Sequence, residues 1–435
     1  MSSLGGKGTE VVVGANALSE AALRFRLVAN NAATWSAAVS GDPTARLLHS
    51  PWRESPYPIY ERLRSSGPLV RSKLGLVTAT THETCRAVLR DRSMGVRPES
   101  GPDPLGELDE LDLSLLKLDP PDHTRLRKLA APAFRARRLA ALRESVESIA
   151  HDLVDRATRR GEFDLMRDVA LPLPIRVITA LLDLRDVDTP TLARHGSALA
   201  SSLDGVRGPR QLRAVRRADA AFHAMFTDLM EQRRRAPGDD VVSDLVHAHD
   251  DEQVTADELV ALCRLLLVAG FETTVNLIGN GTLALLRHPE QWAALRDDPG
   301  LAPSAVEEVL RWDGPVQSSA RIAHETVEIG GRRLRKGTLV LVLLGSAGRD
   351  PAAHSDPDRF DITREESEHL AFSHGAHYCL GAPLARMEGD LAFRVLADWL
   401  PNLTLAGRPR QRRTTVLRGL RTLPVASGAV PAPRA

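Results

Sequence analysis

Apolar residues return at helical spacing through most of this chain, and the regularity is broken at a small number of Gly and Pro positions. From Asp122 onward the segments are rich in Ala, Leu and Arg. Breaks fall at Gly161, at Pro172 and Pro174, between Gly205 and Pro209, and at Pro237-Gly238. The longest periodic run covers residues 257–287, with Asp257 and Glu258 in its first turn and His288-Pro289 at its end. Roughly thirty residues at about 1.5 Å each reach about 45 Å, enough to cross a whole domain. Leu262, Leu265, Leu266, Ile278 and Leu285 leave this run mostly apolar, which predicts a buried helix. Further helical patterns occupy residues 19–39, 59–64 and 381–400. Residues 67–81, with Leu69, Val70, Leu76 and Val77 near glycines, predict a small hairpin. Residues 327–329, the Gly330-Gly331 turn and residues 338–344 read as strands of one small sheet. The expected fold class is mainly α with a small β region, in one large helix-rich domain over residues 41–435. A partly flexible extension, residues 1–40, precedes it.

Composition narrows the function. The 435 residues carry 57 Lys and Arg against 56 Asp and Glu, a net charge of +1, which argues against a nucleic-acid partner held by bulk charge. Hydrophobic residues make up 43% and charged residues 26%, as in a globular chain, while only 4% aromatics leave Leu, Val and Ala to build the core. Cys85, Cys263 and Cys379 lie far apart with no CxxC pair, so neither a disulfide framework nor a zinc ribbon is indicated. No apolar run approaches the ~20 residues of a membrane span. A cytoplasmic protein with no membrane and no nucleic-acid partner is expected. His247 to Asp251 reads as a solvated loop, and Arg233-Arg234-Arg235 as the basic end of a helix.

The richest chemistry surrounds Cys379. Gly375 and Gly381 bracket it, so backbone can approach closely and turn around the sulfur. A helix beginning just after the thiol would aim its N-terminal amides at a thiolate. Phe372 can shield one side. Three readings compete: a buried structural cysteine, a zinc site with His374 and His377, and a thiolate presented to an iron porphyrin. On the long helix, Gly270 and Glu272 are each unfavourable in a buried interior. Glu272 requires a partner, and Gly270 permits either a close approach or a local opening.

The thiol segment resembles the heme-binding loop of the cytochrome P450 family, Phe-x-x-Gly-x-x-x-Cys-x-Gly with Ala and Glu downstream, here Phe372, Gly375, Cys379, Gly381, Ala385 and Glu388. One position departs: bacterial members usually carry Gly where Ser373 stands. Ala269-Gly270-Phe271-Glu272-Thr273-Thr274 resembles the family's oxygen-activation motif. Glu308 and Arg311 match its Glu-x-x-Arg pair, with Arg359 as the third member, although such a pair alone is usually a solvated one. Gly348 stands where Asn is common, and residues 416–420 look like the family's C-terminal hairpin.

The resemblance implies heme b, with Cys379 as the metal ligand and His123, Arg127, Arg321 and His377 at its propionates. Phe372, Gly375, Gly381 and Ala269 would pack around it. Thr273 would hydrogen-bond the oxygen being activated, and Glu272 would relay protons, leaving Thr274 to packing. Leu265, Val268, Ala269, Gln317, Ser319 and Leu420 would line the pocket of an apolar small-molecule substrate, with residues 95–118 and 203–209 as its lid. The implied activity is a monooxygenase consuming O2, a monomer fed by a separate ferredoxin or flavodoxin-like donor and its reductase, with Arg386 at the docking face. A heme-thiolate sensor without turnover, and oxidative coupling in place of hydroxylation, are the alternatives.

Overall fold

The computed structural model describes residues 27–49, 51–98, 114–184, 187–238, 240–250, 254–365 and 368–428. Its axis is the helix Ala256–Arg287, 32 residues long. Thr255 starts it with a reciprocal capping box: its hydroxyl accepts the Glu258 N–H while the Glu258 carboxylate accepts the Thr255 N–H. The helix packs against Pro172–Leu181, Thr189–Ala200, Pro209–Arg235, Ala302–Asp313 and Ala382–Trp399. By length and composition it could cross a membrane, yet 78% of its apolar window is buried inside the protein, so neighbouring helices take the place of lipid. Its glycines serve close approach. A methyl carbon on Gly270 would lie 2.7 Å from Ile178 Cδ1, and one on Gly281 would lie 2.3 Å from the Phe393 ring. The helix runs unbroken through Gly270, so the close approach, not an opening, is what that glycine provides.

The β structure is partitioned differently from the sequence expectation. The hairpin forms, with Leu69–Arg71 antiparallel to Val77–Ala79. Val77–Ala79 then pairs in parallel with Leu339–Val342, which lies antiparallel to Ser319–Ala323. Met94–Gly95 completes this five-stranded sheet. Val327–Ile329 stays out of it and forms its own hairpin with Arg332–Leu334. Gly330 and Gly331, at φ 57° and 68°, supply the two left-handed residues of the turn that closes that hairpin. Near the C-terminus, Pro424–Ala426 lies between Glu162–Asp164 and Thr404–Leu405.

Two local expectations change. His247 lies within the helix Val241–Asp250, not in a loop. Residues 27–39 are helical, whereas residues 19–26 of that expected helix, and residues 99–113 of the expected lid, are outside the described set.

The Glu308–Arg311 pair is not solvated. Both residues are 1% exposed, and Arg311 grips the carboxylate through Nε at 2.7 Å and Nη2 at 2.8 Å. Arg311 also donates to the carbonyls of Gly348, Pro357 and Arg359. A buried pair of this kind survives because every remaining donor finds an acceptor; removing one partner typically costs about 3–5 kcal/mol. The third cation is Arg364, 3.4 Å from Glu308, and not Arg359, whose side chain is 65% exposed and pairs with Asp361. This network fastens the loop that precedes Phe372 to the helix Ala302–Asp313.

Candidate active site

Cys379 sits at the foot of the helix Ala382–Trp399. Its N–H donates to the Phe372 carbonyl at 2.8 Å, folding the loop back on itself. Burial pushes the thiol above its ordinary range, while the N–H groups of Gly381 and Ala382, then Arg127 and Arg386, act the other way. The sulfur is therefore surrounded by donors that suit a thiolate, in a place where a proton or a metal must offset desolvation. Gly375 is demanded twice. Its φ is +68°, and a methyl carbon there would lie 2.4 Å from the Leu89 carbonyl oxygen. Gly381 has an ordinary φ of −85°, and a methyl carbon would meet only Phe134, at 3.6 Å, so no turn explains it. Glu388 is wholly buried with neither carboxylate oxygen bonded, and burial holds its carboxyl far above the usual range. Cys85 and Cys263 are the inert buried thiols, each 0% exposed.

The zinc reading fails on geometry. The His374 ring turns its Nδ1 onto the Gly375 N–H, and His377 packs instead against His123, at 4.3 Å between centroids with the rings tilted by 43°. Among the described residues no three His, Cys, Asp or Glu side chains gather as a metal site.

Four residues expected to bind carboxylates come together from three separate segments: His123 and Arg127 share the helix Asp122–Ala130, Arg321 lies on the strand Ser319–Ala323 and His377 in the thiol loop. His123 is 2% exposed and its Nδ1 has no partner. His377 Nε2 is also without a hydrogen bond, 3.9 Å from Asp119. Arg321 is 3% exposed; its guanidinium reaches Ser319 Oγ at 2.9 Å and the Ala320 carbonyl at 2.8 Å, and among the described residues it has no carboxylate partner. Burial, then His377 and Arg127, push the His123 imidazole down to about 4, and Arg321 adds to the effect. Burial likewise pushes Arg321 down to about 10. Such a cluster calls for anionic groups.

On the central helix, burial is interrupted at one place: Ala269 is exposed, and Gly270 and Thr273 are half-buried, between fully buried neighbours. The Thr273 hydroxyl donates to the Ala269 carbonyl at 2.9 Å, and Thr274 back-bonds to Gly270 at 3.2 Å. Glu272 is 2% exposed. Its partner, which the sequence required but did not name, is Arg412 from the C-terminal segment, with Ser197 Oγ at 3.3 Å as a second contact.

The expected substrate lining divides. Leu265 and Val268 remain at the edge of burial, 7% and 9% exposed. Gln317 is a correction: its amide accepts the Tyr60 hydroxyl at 3.0 Å and donates to the Gly314 carbonyl at 2.8 Å, so it is used up behind the sheet. Ser319 is spent positioning Arg321, and Leu420 packs at Gly279 of the central helix, 1% exposed. Arg386 is a further correction. It holds Glu307 through two hydrogen bonds, at 2.7 and 2.9 Å, reaches the Tyr378 hydroxyl at 3.2 Å and lies 4.6 Å from the Phe372 ring centroid. It braces the thiol loop and is not a free docking cation.

A cysteine loop seated on a helix N-terminus, beside a cluster of carboxylate-seeking groups, is the design of a helical enzyme working through a cofactor held by sulfur. A profile described as Cytochrome P450 matches residues 300–407. The chain is 42% identical over 407 residues to "Putative cytochrome P450 140" of Mycobacterium tuberculosis, covering 89% of this chain and 93% of that one. It is 43% identical over 314 residues to the 6-deoxyerythronolide B hydroxylase of Saccharopolyspora erythraea, covering 71% and 76%. The structure of Mycobacterium smegmatis CYP164A2 superposes with a TM-score of 0.83 at 39% identity, covering 88% of this chain and 99% of that one. The chain belongs to the cytochrome P450 family, and it is a monooxygenase of the soluble bacterial type. The family implies heme. The residues present fit it: a shielded sulfur for the iron, and unpaired buried donors for two carboxylates.

Proposed function

We propose that this P450 inserts one oxygen atom from O2 into an apolar organic substrate, a natural product in the first instance, with electrons from a separate ferredoxin or flavodoxin-like protein and its reductase. The observation that carries the reading is the cluster of His123, His377 and Arg321 beside the Cys379 loop, with one ring nitrogen of each histidine unbonded and no carboxylate held by the guanidinium among the described residues. Bound heme b would supply the oxidising chemistry. Cys379 would hold the iron, its negative charge eased by the Gly381 and Ala382 amides. His123, Arg127, Arg321 and His377 would bind the propionates, with Phe372, Gly375, Gly381 and Ala269 packed about the ring. Thr273 would offer its hydroxyl to the reacting oxygen by exchanging its bond to Ala269. Glu272 would pass protons to that hydroxyl, with Arg412 setting where its carboxylate rests. Leu265 and Val268 would line the apolar pocket. The similarity to a hydroxylase of 6-deoxyerythronolide B supports hydroxylation of a natural product over coupling. The cytoplasm and a monomeric state complete the reading.

The test is spectroscopic. Purified protein, reduced under carbon monoxide, should give the strongly red-shifted band of a thiolate-held heme. A colourless preparation, or the band of a histidine-held heme, would end the proposal.

A further inference from the structure

The segment that anchors Glu272 leads directly to a second cationic cluster. Arg412 pairs with Glu272, and three residues later the Thr415 N–H donates to Asp204 at 2.8 Å, followed by the Val416 N–H at 2.6 Å. The segment itself lies along the central helix, with Arg412 on Glu272, Gly419 against Asn276 and the Arg418 carbonyl on Asn280, so Asp204 is tied to a segment that borders the Glu272 turn. Two further segments meet there, the turn that carries Asp204 and Arg207 and residues 47–53. Arg207 lies 3.4 Å from Asp204 and donates to the Arg413 carbonyl at 3.0 Å. The Thr415 hydroxyl reaches the Leu47 carbonyl at 3.4 Å, two residues before His49, and the Arg53 N–H donates to the His49 carbonyl at 3.0 Å.

The charges at this meeting point do not balance. Asp204 is 4% exposed in its side chain and already serves two amides and Arg207. Arg53 is half-buried, and its Nε is shielded from solvent with no hydrogen-bond partner. Arg413 is exposed and has no side-chain partner among the described residues. Leu203, 37% exposed, adds an apolar surface beside them. Burial and the neighbouring Arg207 and Arg413 push the Arg53 guanidinium below its ordinary range, against Asp204 and Glu54. Burial, then Arg53 and Arg207, lower His49 as well. A half-buried guanidinium crowded by two others, with Asp204 committed to two amides and Arg207, is a site suited to receive an anion.

We infer that Arg53 and Arg413, with Arg207, hold an oxyanion head group, carboxylate or phosphate, at the trailing end of the apolar substrate. This rests on the monooxygenase reading and adds the substrate's polar end to it. The head docks between the segment after Leu47, the turn at Asp204 and the strand exit at Arg413. The apolar tail then runs along the Arg412–Val416 segment toward Ala269 and Thr273. An alcohol of the same length leaves the guanidiniums unpaired and binds less tightly.

Affinities for tetradecanoate, tetradecyl phosphate and tetradecan-1-ol decide it, with dodecyl and phenylalkyl series beside them. Each is followed by the low-spin to high-spin optical shift and by equilibrium dialysis of labelled ligand. In the wild type at least one anion of a series should bind about tenfold or more tighter than its alcohol, the yield of one or two charge-assisted hydrogen bonds. The tighter anion identifies the head group. Arg53→Gln combined with Arg413→Gln should bring anion and alcohol to near parity, with the alcohol's affinity unchanged. Parity already in the wild type, absence of binding by every anion, or a preference that survives in the double variant overturns the inference. Loss of the thiolate carbon monoxide band is a separate failure, that of the monooxygenase reading, and dialysis still reports on the anion in that case.

Discussion

Ser373 shows what it costs one residue to depart from a pattern whose backbone it keeps. Its φ is +62°, in the left-handed region where a side chain is disfavoured, and its Oγ is buried without a hydrogen-bond partner. Gly is common at this position in the family because it takes that conformation freely. Ser373→Gly should therefore stabilise the protein by about 1 kcal/mol, the relieved strain and orphaned hydroxyl outweighing the extra entropy of Gly in the unfolded chain. A denaturation midpoint that stays put or falls would show that the loop gains more from the hydroxyl than it loses. Thr273 carries the functional counterpart. Thr273→Ala should leave heme uptake unchanged but divert reducing equivalents from product to hydrogen peroxide, cutting coupling by about tenfold or more. Peroxide assay alongside product yield measures this; unchanged coupling removes Thr273 from the relay. Features set by fixed local spacing, such as the turn at Gly375 and the Glu308–Arg311 pair, were legible in the sequence. Arg412, Ser197 and Arg53 were not. Their partners lie 140, 75 or more than 150 positions away in the chain, and no period links residues that only tertiary folding brings together.

At the scale of elements, the helix–helix contacts explain where the family pattern and this chain part. Gly348 has a helical φ of −66°, so conformation does not require glycine there. Space does: a methyl carbon would lie 2.2 Å from the Arg311 carbonyl oxygen and 3.1 Å from its carbon. The helix Ala302–Asp313 and the short helix Leu344–Ala347 have closed on each other in the room a larger side chain would occupy. Gly348→Ala should force them apart and disturb the bond from Arg311 to the Gly348 carbonyl, costing about 2 kcal/mol or more. Gly348→Asn should cost at least as much, even though Asn is common in relatives. A melting temperature equal to wild type in both variants would mean that the contact relaxes without loss. The long helix was readable because thirty apolar-periodic residues outvote any local ambiguity. The strand partnership was not, since residues 327–329 and 339–342 are both short β-prone runs and the neighbour each pairs with is settled by tertiary contacts that no local pattern carries.

For the whole molecule, buried titratable groups in two different networks set a common response to acid. Burial, then Arg311 and His82, hold the His354 imidazole at about 4, with Arg364 acting the same way and Asp350 opposing. Its unfolded value is 6.5, so the unfolded chain binds more protons between these values and stability falls as pH drops from about 6.5 to about 4. Burial alone would raise the Glu307 carboxyl, but hydrogen bonds from Arg386 and His369 overcome it and hold it at about 2. Measured against an unfolded 4.5, that contribution is present above 4.5 and is lost toward 2. The two windows join end to end, and both losses run the same way. Melting temperature should therefore decline steadily on acidification from neutrality, with no plateau near pH 4.5. His354→Gln should flatten the upper part of the decline and leave the lower part, while Glu307→Gln should do the reverse at some expense to the thiol loop that Arg386 braces. If His354→Gln melts with the wild-type slope between about pH 7 and 5, its imidazole is not what the folded state protects from protonation, and that part of the acid response belongs to His123, which burial also holds at about 4.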